Sequence, residues 1–248
     1  MVTTTFIGDA TPAAFGAPEP SRDNAKQIIN DYLTQSKPDV LFGGAGSGMS
    51  KTTAQAAGYT VIANAATLRE LNTKTATKVS RQFGVGDKPY ETDGLGALPH
   101  LREMVYSALR ILDNNPKGFF LLIEAGRIED ACHGKDIKRA VEEIKHLDLA
   151  VQEVLKWLPT NSETLVIVTA DHETGGLKVT SDKLTNGYPA VTFATSKHTA
   201  ADVKVFSAGY GAVNFKLKME NNNFPSLITT AGSQRTCCYI IPDIYTAA

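Results

Sequence analysis

Thr164-Leu165-Val166-Ile167-Val168-Thr169-Ala170-Asp171-His172-Glu173 decides the fold of this chain. Seven residues without a charge, Thr164 to Ala170, run straight into an adjacent carboxylate and imidazole. A short apolar run of this kind reads as a strand covered on both faces. Open α/β sheets carry their sites past the carboxyl ends of such strands. Two side chains of metal-ligand type therefore stand where a site belongs.

Working outward, strands and helices alternate. Asn24 to Gln35 reads as a helix that ends before Lys37-Pro38, and Asp39 to Gly43 as a short strand. Tyr59 to Ala63 and Lys78 to Phe83 read as strands, with a short helix from about Ala66 between them. Leu98 to Leu112 reads as a helix stopped by Asn114-Asn115-Pro116, and Phe119 to Glu124 as a second buried strand. The clearest helix runs from Asp136 to about Leu158. Ile137, Val141, Ile144, Leu147, Val151 and Leu155 recur at helical spacing, with charges opposite. Beyond Gly176, Ala190 to Ala194 and Val203 to Ala208 are β-like. The order implies an α/β fold with a mainly parallel central sheet and helices on both faces. We expect a single domain over residues 1–248, with an irregular tail over 229–248.

Composition excludes several classes. The 248 residues are 42% hydrophobic and 21% charged, as in an ordinary globular chain. A formal net charge of −1 gives no reason to expect nucleic acid or an anionic membrane as partner. No stretch approaches ~20 apolar residues, so no membrane-spanning helix is expected. The first residues lack the basic start and apolar core of a secretory signal. Three cysteines, two of them adjacent at Cys237 and Cys238, do not make a disulfide framework.

Further candidates lie before and after Asp171-His172. Glu124 closes the strand from Phe119. Glu129 and His133 follow at a spacing that puts both on one helical face. The plainer reading of these acids is a surface helix start, with carboxylates near the positive end of the dipole. His198 has no local support. If Thr3 to Thr11 is extended, Asp9 and Thr11 share a face, and carboxylate plus hydroxyl suits Mg²⁺. The plainer alternative is a turn at Asp9-Ala10-Thr11-Pro12. Arg22 offers a planar cation that grips phosphate in a bidentate manner; otherwise it is a surface arginine. The run Gly43 to Thr52 imitates a phosphate-binding loop, but Met49 and Ser50 stand between Gly48 and Lys51, where that motif needs lysine directly after glycine. A glycine turn after a strand is the reading we adopt.

Taken together, four ordered motifs resemble the alkaline phosphatase family. They are Asp9 to Phe15 with Ser21-Arg22, Phe119 to Glu129 with His133, Leu165 to Gly176, and His198 to Ala212. The resemblance implies a phosphate monoester hydrolase with two Zn²⁺ and one Mg²⁺. It places Glu129, His133 and His198 on one zinc, Asp171 and His172 on the second, and Asp9, Thr11 and Glu124 on magnesium. Arg22 falls where the family holds the substrate phosphate. Two zinc ions about 4 Å apart clamp the entering and leaving oxygens of an in-line displacement. Family members are commonly exported homodimers.

Departures accompany the match. Position 129 is usually Asp, so the neighbouring Asp130 is an alternative ligand. Ala200 stands where glycine usually follows His-Thr. The family's nucleophilic serine lies in an Asp-Ser stretch ahead of the Asp-Ala-Thr-Pro motif, and this chain has no Asp-Ser pair. Ser47, Ser50 and Ser107 lie in the wrong part of the order. The resemblance therefore implies a family member without the amino-terminal part, which would also supply strands at the sheet's centre, and one inactive alone. The rival readings are a non-catalytic metal- or phosphate-binding relative and a sibling metalloenzyme of the phosphomutase or sulfatase kind.

Overall fold

The structure, a computed structural model, describes residues 1–215, 217–230 and 236–241. In chain order the elements begin with β1 (Val2–Phe6), α1 (Ala10–Gly16), α2 (Ala25–Asp31), β2 (Val40–Ala45), α3 (Lys51–Ala56), β3 (Thr60–Ile62) and α4 (Ala65–Glu70). β4 (Val79–Val85), α5 (Leu101–Leu112), β5 (Phe119–Glu124), α6 (Arg127–His133), α7 (Ile137–Trp157) and β6 (Thr164–Thr169) follow. The chain continues through β7 (Glu173–Thr174), β8 (Leu177–Thr185), β9 (Tyr188–Phe193), β10 (His198–Thr199), β11 (Val205–Gly209), α8 (Phe224–Thr230) and β12 (Thr236–Ile241).

Eight strands form one sheet in the order β11-β6-β12-β5-β1-β2-β4-β3. Every pairing is parallel except β11 on β6, which is antiparallel. Side chains alternate across the sheet. Val40, Phe42, Leu121, Ile123, Val166 and Ile240 face the main core, which α5 and α7 complete. Leu41 points the other way, into a second core with Ile28, Ile29 and Tyr32. Leu165, Ile167 and Cys237 meet Phe215 and Phe224 in a third. Both faces of the sheet are thus covered, as the continuous apolar strands require.

The expected irregular tail is corrected. Residues 236–241 are a strand, seated between β5 and β6 at the sheet's centre. Thr236-Cys237-Cys238-Tyr239-Ile240-Ile241 has no alternation, and cysteine here acts as a small hydrophobe. Such a six-residue run cannot be told from loop or helix by periodicity. Residues 231–235 and 242–248 of the expected tail lie outside the described residues.

The extended reading of residues 3–11 is also corrected. β1 stops at Phe6, and Asp9 caps α1 by accepting the amide of Ala10 at 2.8 Å. Aspartate is a favoured N-cap, and Pro12 fits the first turn of a helix. The glycine run behaves as a turn. Gly44 lies against the loop after β4, and a Cβ there would stand 1.6 Å from the carbonyl oxygen of Gly86. Its glycine is needed for backbone approach. Among the described residues no helix is long and apolar enough to cross a membrane.

Ile240 is fully buried in the main core. Ile240→Ala is expected to lower the unfolding free energy by about 2–5 kcal/mol in urea titration. Val213→Ala, at an exposed site, should stay within about 0.5 kcal/mol.

Candidate metal centre

The parallel register puts the ends of β1, β5 and β6 at one edge of the sheet. Glu124 is the last residue of β5, and Asp171-His172 follows β6 directly. After Glu124 the chain turns at Ala125-Gly126 into α6, whose helical repeat stacks Glu129 over His133. His198 arrives by another route. β7 and β10 form a two-stranded antiparallel ribbon in which Thr199 opposes Glu173 and His198 opposes Thr174. That ribbon lays the His198 ring on the His172 ring, with centroids 3.6 Å apart.

Four side chains then converge. Glu129 Oε1 lies 2.5 Å from His198 Nε2, 3.0 Å from His133 Nε2 and 3.9 Å from His172 Nε2. His198 Nε2 and His133 Nε2 are 3.3 Å apart. His133 Nδ1 lies 2.7 Å from the carbonyl oxygen of Ser196. A carbonyl only accepts, so Nδ1 donates, and in the neutral ring Nε2 presents its lone pair to Glu129. A backbone carbonyl on the far nitrogen is what orients a metal-ligating histidine. Lone pair against carboxylate at that distance repels unless a proton or a cation lies between them. Asp171 stands beside His172, Oδ2 to Nε2 3.3 Å, while its Oδ1 accepts the His172 amide at 3.0 Å. Asp130 turns away to Arg127, at 2.5 Å, so Glu129 is the acid in the cluster.

The oxygen-rich candidates form a second group. Glu124 is buried and accepts hydrogen bonds from the hydroxyls of Thr3 and, at 3.2 Å, Thr5. The Thr11 hydroxyl and the Asp9 charge are close enough to act on it. Burial pushes the Glu124 carboxyl up to about 7; the Thr3 and Thr11 hydroxyls oppose that shift, and the Asp9 charge adds to it. Arg22 pairs with Asp9. Arg22 and Asp9 share a cleft of about 570 Å³ with Glu129, Asp130, His133, Lys197 and His198, which joins them to the imidazole cluster. Thr11 and Asp171 open instead onto a larger, aromatic-lined cavity of about 1140 Å³ that contains Phe15, Phe120 and Tyr239.

Sequence reasoning missed four contributors. Thr3 and Thr5 alternate along β1 and face Glu124, a signal visible only once β1 is paired with β5. Lys197 adds a cation to the cleft. Glu173 is buried; it accepts the amides of Gly176 and Leu177, each at 3.1 Å, and the hydroxyl of Thr199. It thereby locks the turn after His172 to the strand that carries His198. Cys132, next to His133, is buried and its thiol is pushed up to about 12, chiefly by burial, so it offers no thiolate. Ser107 is buried within α5 and Ser50 caps α3.

The family model described as alkaline phosphatase matches residues 45–188, more than half of the chain. This chain belongs to the alkaline phosphatase family. It is 33% identical over 221 residues to alkaline phosphatase 4 of Bacillus subtilis, covering 84% of this chain and 47% of that protein. Against the repressible alkaline phosphatase of Saccharomyces cerevisiae it is 31% identical, over 76% of this chain and 40% of the relative. The chain thus spans about half the length of the curated relatives it matches. Among solved structures, a cold-active alkaline phosphatase from Shewanella sp. superposes with a TM-score of 0.82 at 26% identity, over 92% of this chain and 74% of the other. A TAB5 alkaline phosphatase mutant with Mg bound gives 0.79 at 25%, over 94% and 71%.

The Glu124 shift sets a sign for pH dependence. A carboxyl raised in the folded state contributes stability that is full below its unfolded value near 4.5 and is lost as pH rises through about 7. Metal-free wild type should therefore lose stability relative to Glu124→Gln between those limits. Urea unfolding of both across that window checks it, and a constant difference would contradict the assignment.

Proposed function

We propose that this chain carries the metal-binding and phosphate-binding part of a phosphate monoester hydrolase site. The observation that carries the reading is the convergence of three imidazole Nε2 atoms on one Glu129 oxygen. Imidazole and carboxylate are the donors that Zn²⁺ takes. Glu129, His133 and His198 would hold one zinc, and Asp171 with His172 the second. Asp9, Thr11 and Glu124, all oxygen donors, suit Mg²⁺.

Bound there, divalent ions supply Lewis-acid charge and an activated oxygen nucleophile. This chain's own residues do the rest. Arg22 and Lys197 present donors to the same cleft as the histidines and would orient a phosphate dianion. Binding phosphate would draw Arg22 from Asp9 and free that carboxylate for magnesium. The Ser196 carbonyl holds the His133 ring against rotation, and Glu173 fixes the ribbon that carries His198 through Thr199. Phosphoryl transfer depends largely on positioning and charge stabilisation, and these groups provide both.

One observation favours a second reading. No Asp-Ser pair occurs in the sequence, and Ser50 and Ser107 have structural places in α3 and α5. A non-catalytic relative that binds metal or phosphate would keep the same cluster. Zinc titration by calorimetry, followed by hydrolysis of a chromogenic phosphate monoester with Zn²⁺ and Mg²⁺ at alkaline pH, separates the two. We expect zinc to bind, with affinity roughly tenfold or more weaker in His172→Ala. Turnover by the chain that disappears in His172→Ala establishes a working site. Zinc binding without turnover supports the binding relative, and absence of zinc binding sinks both.

A further inference from the structure

A separate group of metal-ligand side chains lies where the segment before α5 meets α7. Glu91 opens a single 3-10 turn, His100 is the N-cap of α5, and His146 sits midway along α7. One ligand atom from each lies within 4.8 Å of the others. Glu91 Oε2 is 2.8 Å from His100 Nδ1, and Oε1 is 3.6 Å from His146 Nδ1. The two imidazoles stack with centroids 4.8 Å apart and planes at 16°.

The simpler account is an ion-pair knot. Lys88 is fully buried, and its Nζ lies 2.5 Å from Glu91 Oε1. That pair explains the buried carboxylate and one of its oxygens. It leaves His146 Nδ1 unexplained, because this buried nitrogen has no hydrogen-bond partner. A buried polar atom without a partner costs roughly 1–3 kcal/mol. Two imidazoles converging on the carboxylate exceed what one lysine pair requires.

Lys88 is also compatible with a cation. By holding Oε1 it leaves Oε2 as the ligating atom, in the way outer-shell groups orient a bound carboxylate. Glu143, a second buried carboxyl, accepts the Glu91 amide at 2.8 Å and so fixes the backbone that presents Glu91. His100 is 48% exposed at its side chain, which gives an entering ion and a water a path to the group. We propose that Glu91, His100 and His146 form a divalent transition-metal site, distinct from the Glu129 cluster. Two imidazoles, one carboxylate and an open fourth position are the donor set of Zn²⁺. The ion would staple the loop before α5 to the middle of α7. Tyr90, next to Glu91, lies under the guanidinium groups of Arg127 and Arg139, at 3.9 and 4.4 Å. The staple therefore fixes the platform that carries α6.

Zinc titration and elemental analysis of the whole chain test the proposal with two double variants. Glu129→Gln/His198→Ala weakens the cluster at the sheet edge and leaves this group intact. It is expected to retain a zinc ion that raises its unfolding temperature. Adding His100→Ala to that background should weaken the remaining ion roughly tenfold or more. Because His100 is exposed, the added change should leave the metal-free circular dichroism unaltered. In the otherwise native chain, His100→Ala/His146→Gln should lower zinc content by one ion while binding at Glu129 persists. Zinc content unchanged by His100→Ala overturns the proposal. So does a Glu129→Gln/His198→Ala chain that folds and takes up no zinc. Either result leaves the reading of the Glu129 cluster untouched.

Discussion

One carboxylate oxygen, Glu129 Oε1, faces three imidazole nitrogens, and the rest of the site is arranged around that contact. A carboxylate oxygen met by three ring nitrogens is satisfied by protons on those nitrogens or by a cation among them. The fold delivers the partners on three independent supports. α6 brings Glu129 and His133 together, the end of β6 brings His172, and the β7–β10 ribbon brings His198. Each support is anchored by something buried. α6 follows β5 in the sheet interior, β6 is paired on both sides, and Glu173 ties the ribbon with three hydrogen bonds.

The oxygen group beneath follows a different electrostatic rule. Glu124 is buried among hydroxyls without a cationic partner in hydrogen-bond reach, and desolvation holds its proton. A divalent ion would invert that preference, because a bound cation favours the carboxylate. Asp9 meanwhile is neutralised by Arg22.

Much of this was legible in the residues. The apolar runs Phe119 to Glu124 and Thr164 to Thr169 mark their strands because burial on both faces leaves no room for polar alternation. The spacing of Glu129 and His133 holds because α6 forms there. Four things were hidden. His198 is tied to the site by antiparallel pairing across a long β excursion, which local pattern does not report. Asp9 and Thr11 share a site through the start of a helix, since Pro12 and an aspartate cap end the extended segment. β12 was unreadable because six uncharged residues without a period carry no directional signal, and only their pairing with β5 and β6 defines them. Glu91, His100 and His146 went unnoticed for the same reason, since α5 and α7 meet only in three dimensions.

Anomalous diffraction at the zinc edge, from crystals of this chain grown with Zn²⁺, tests the central claim most directly. The account predicts a peak about 2.0–2.2 Å from Nε2 of His133 and His198 and from a Glu129 oxygen, with their present mutual contacts opened to admit the ion. Fully occupied crystals with no anomalous density among Glu129, His133, His172 and His198 would contradict it.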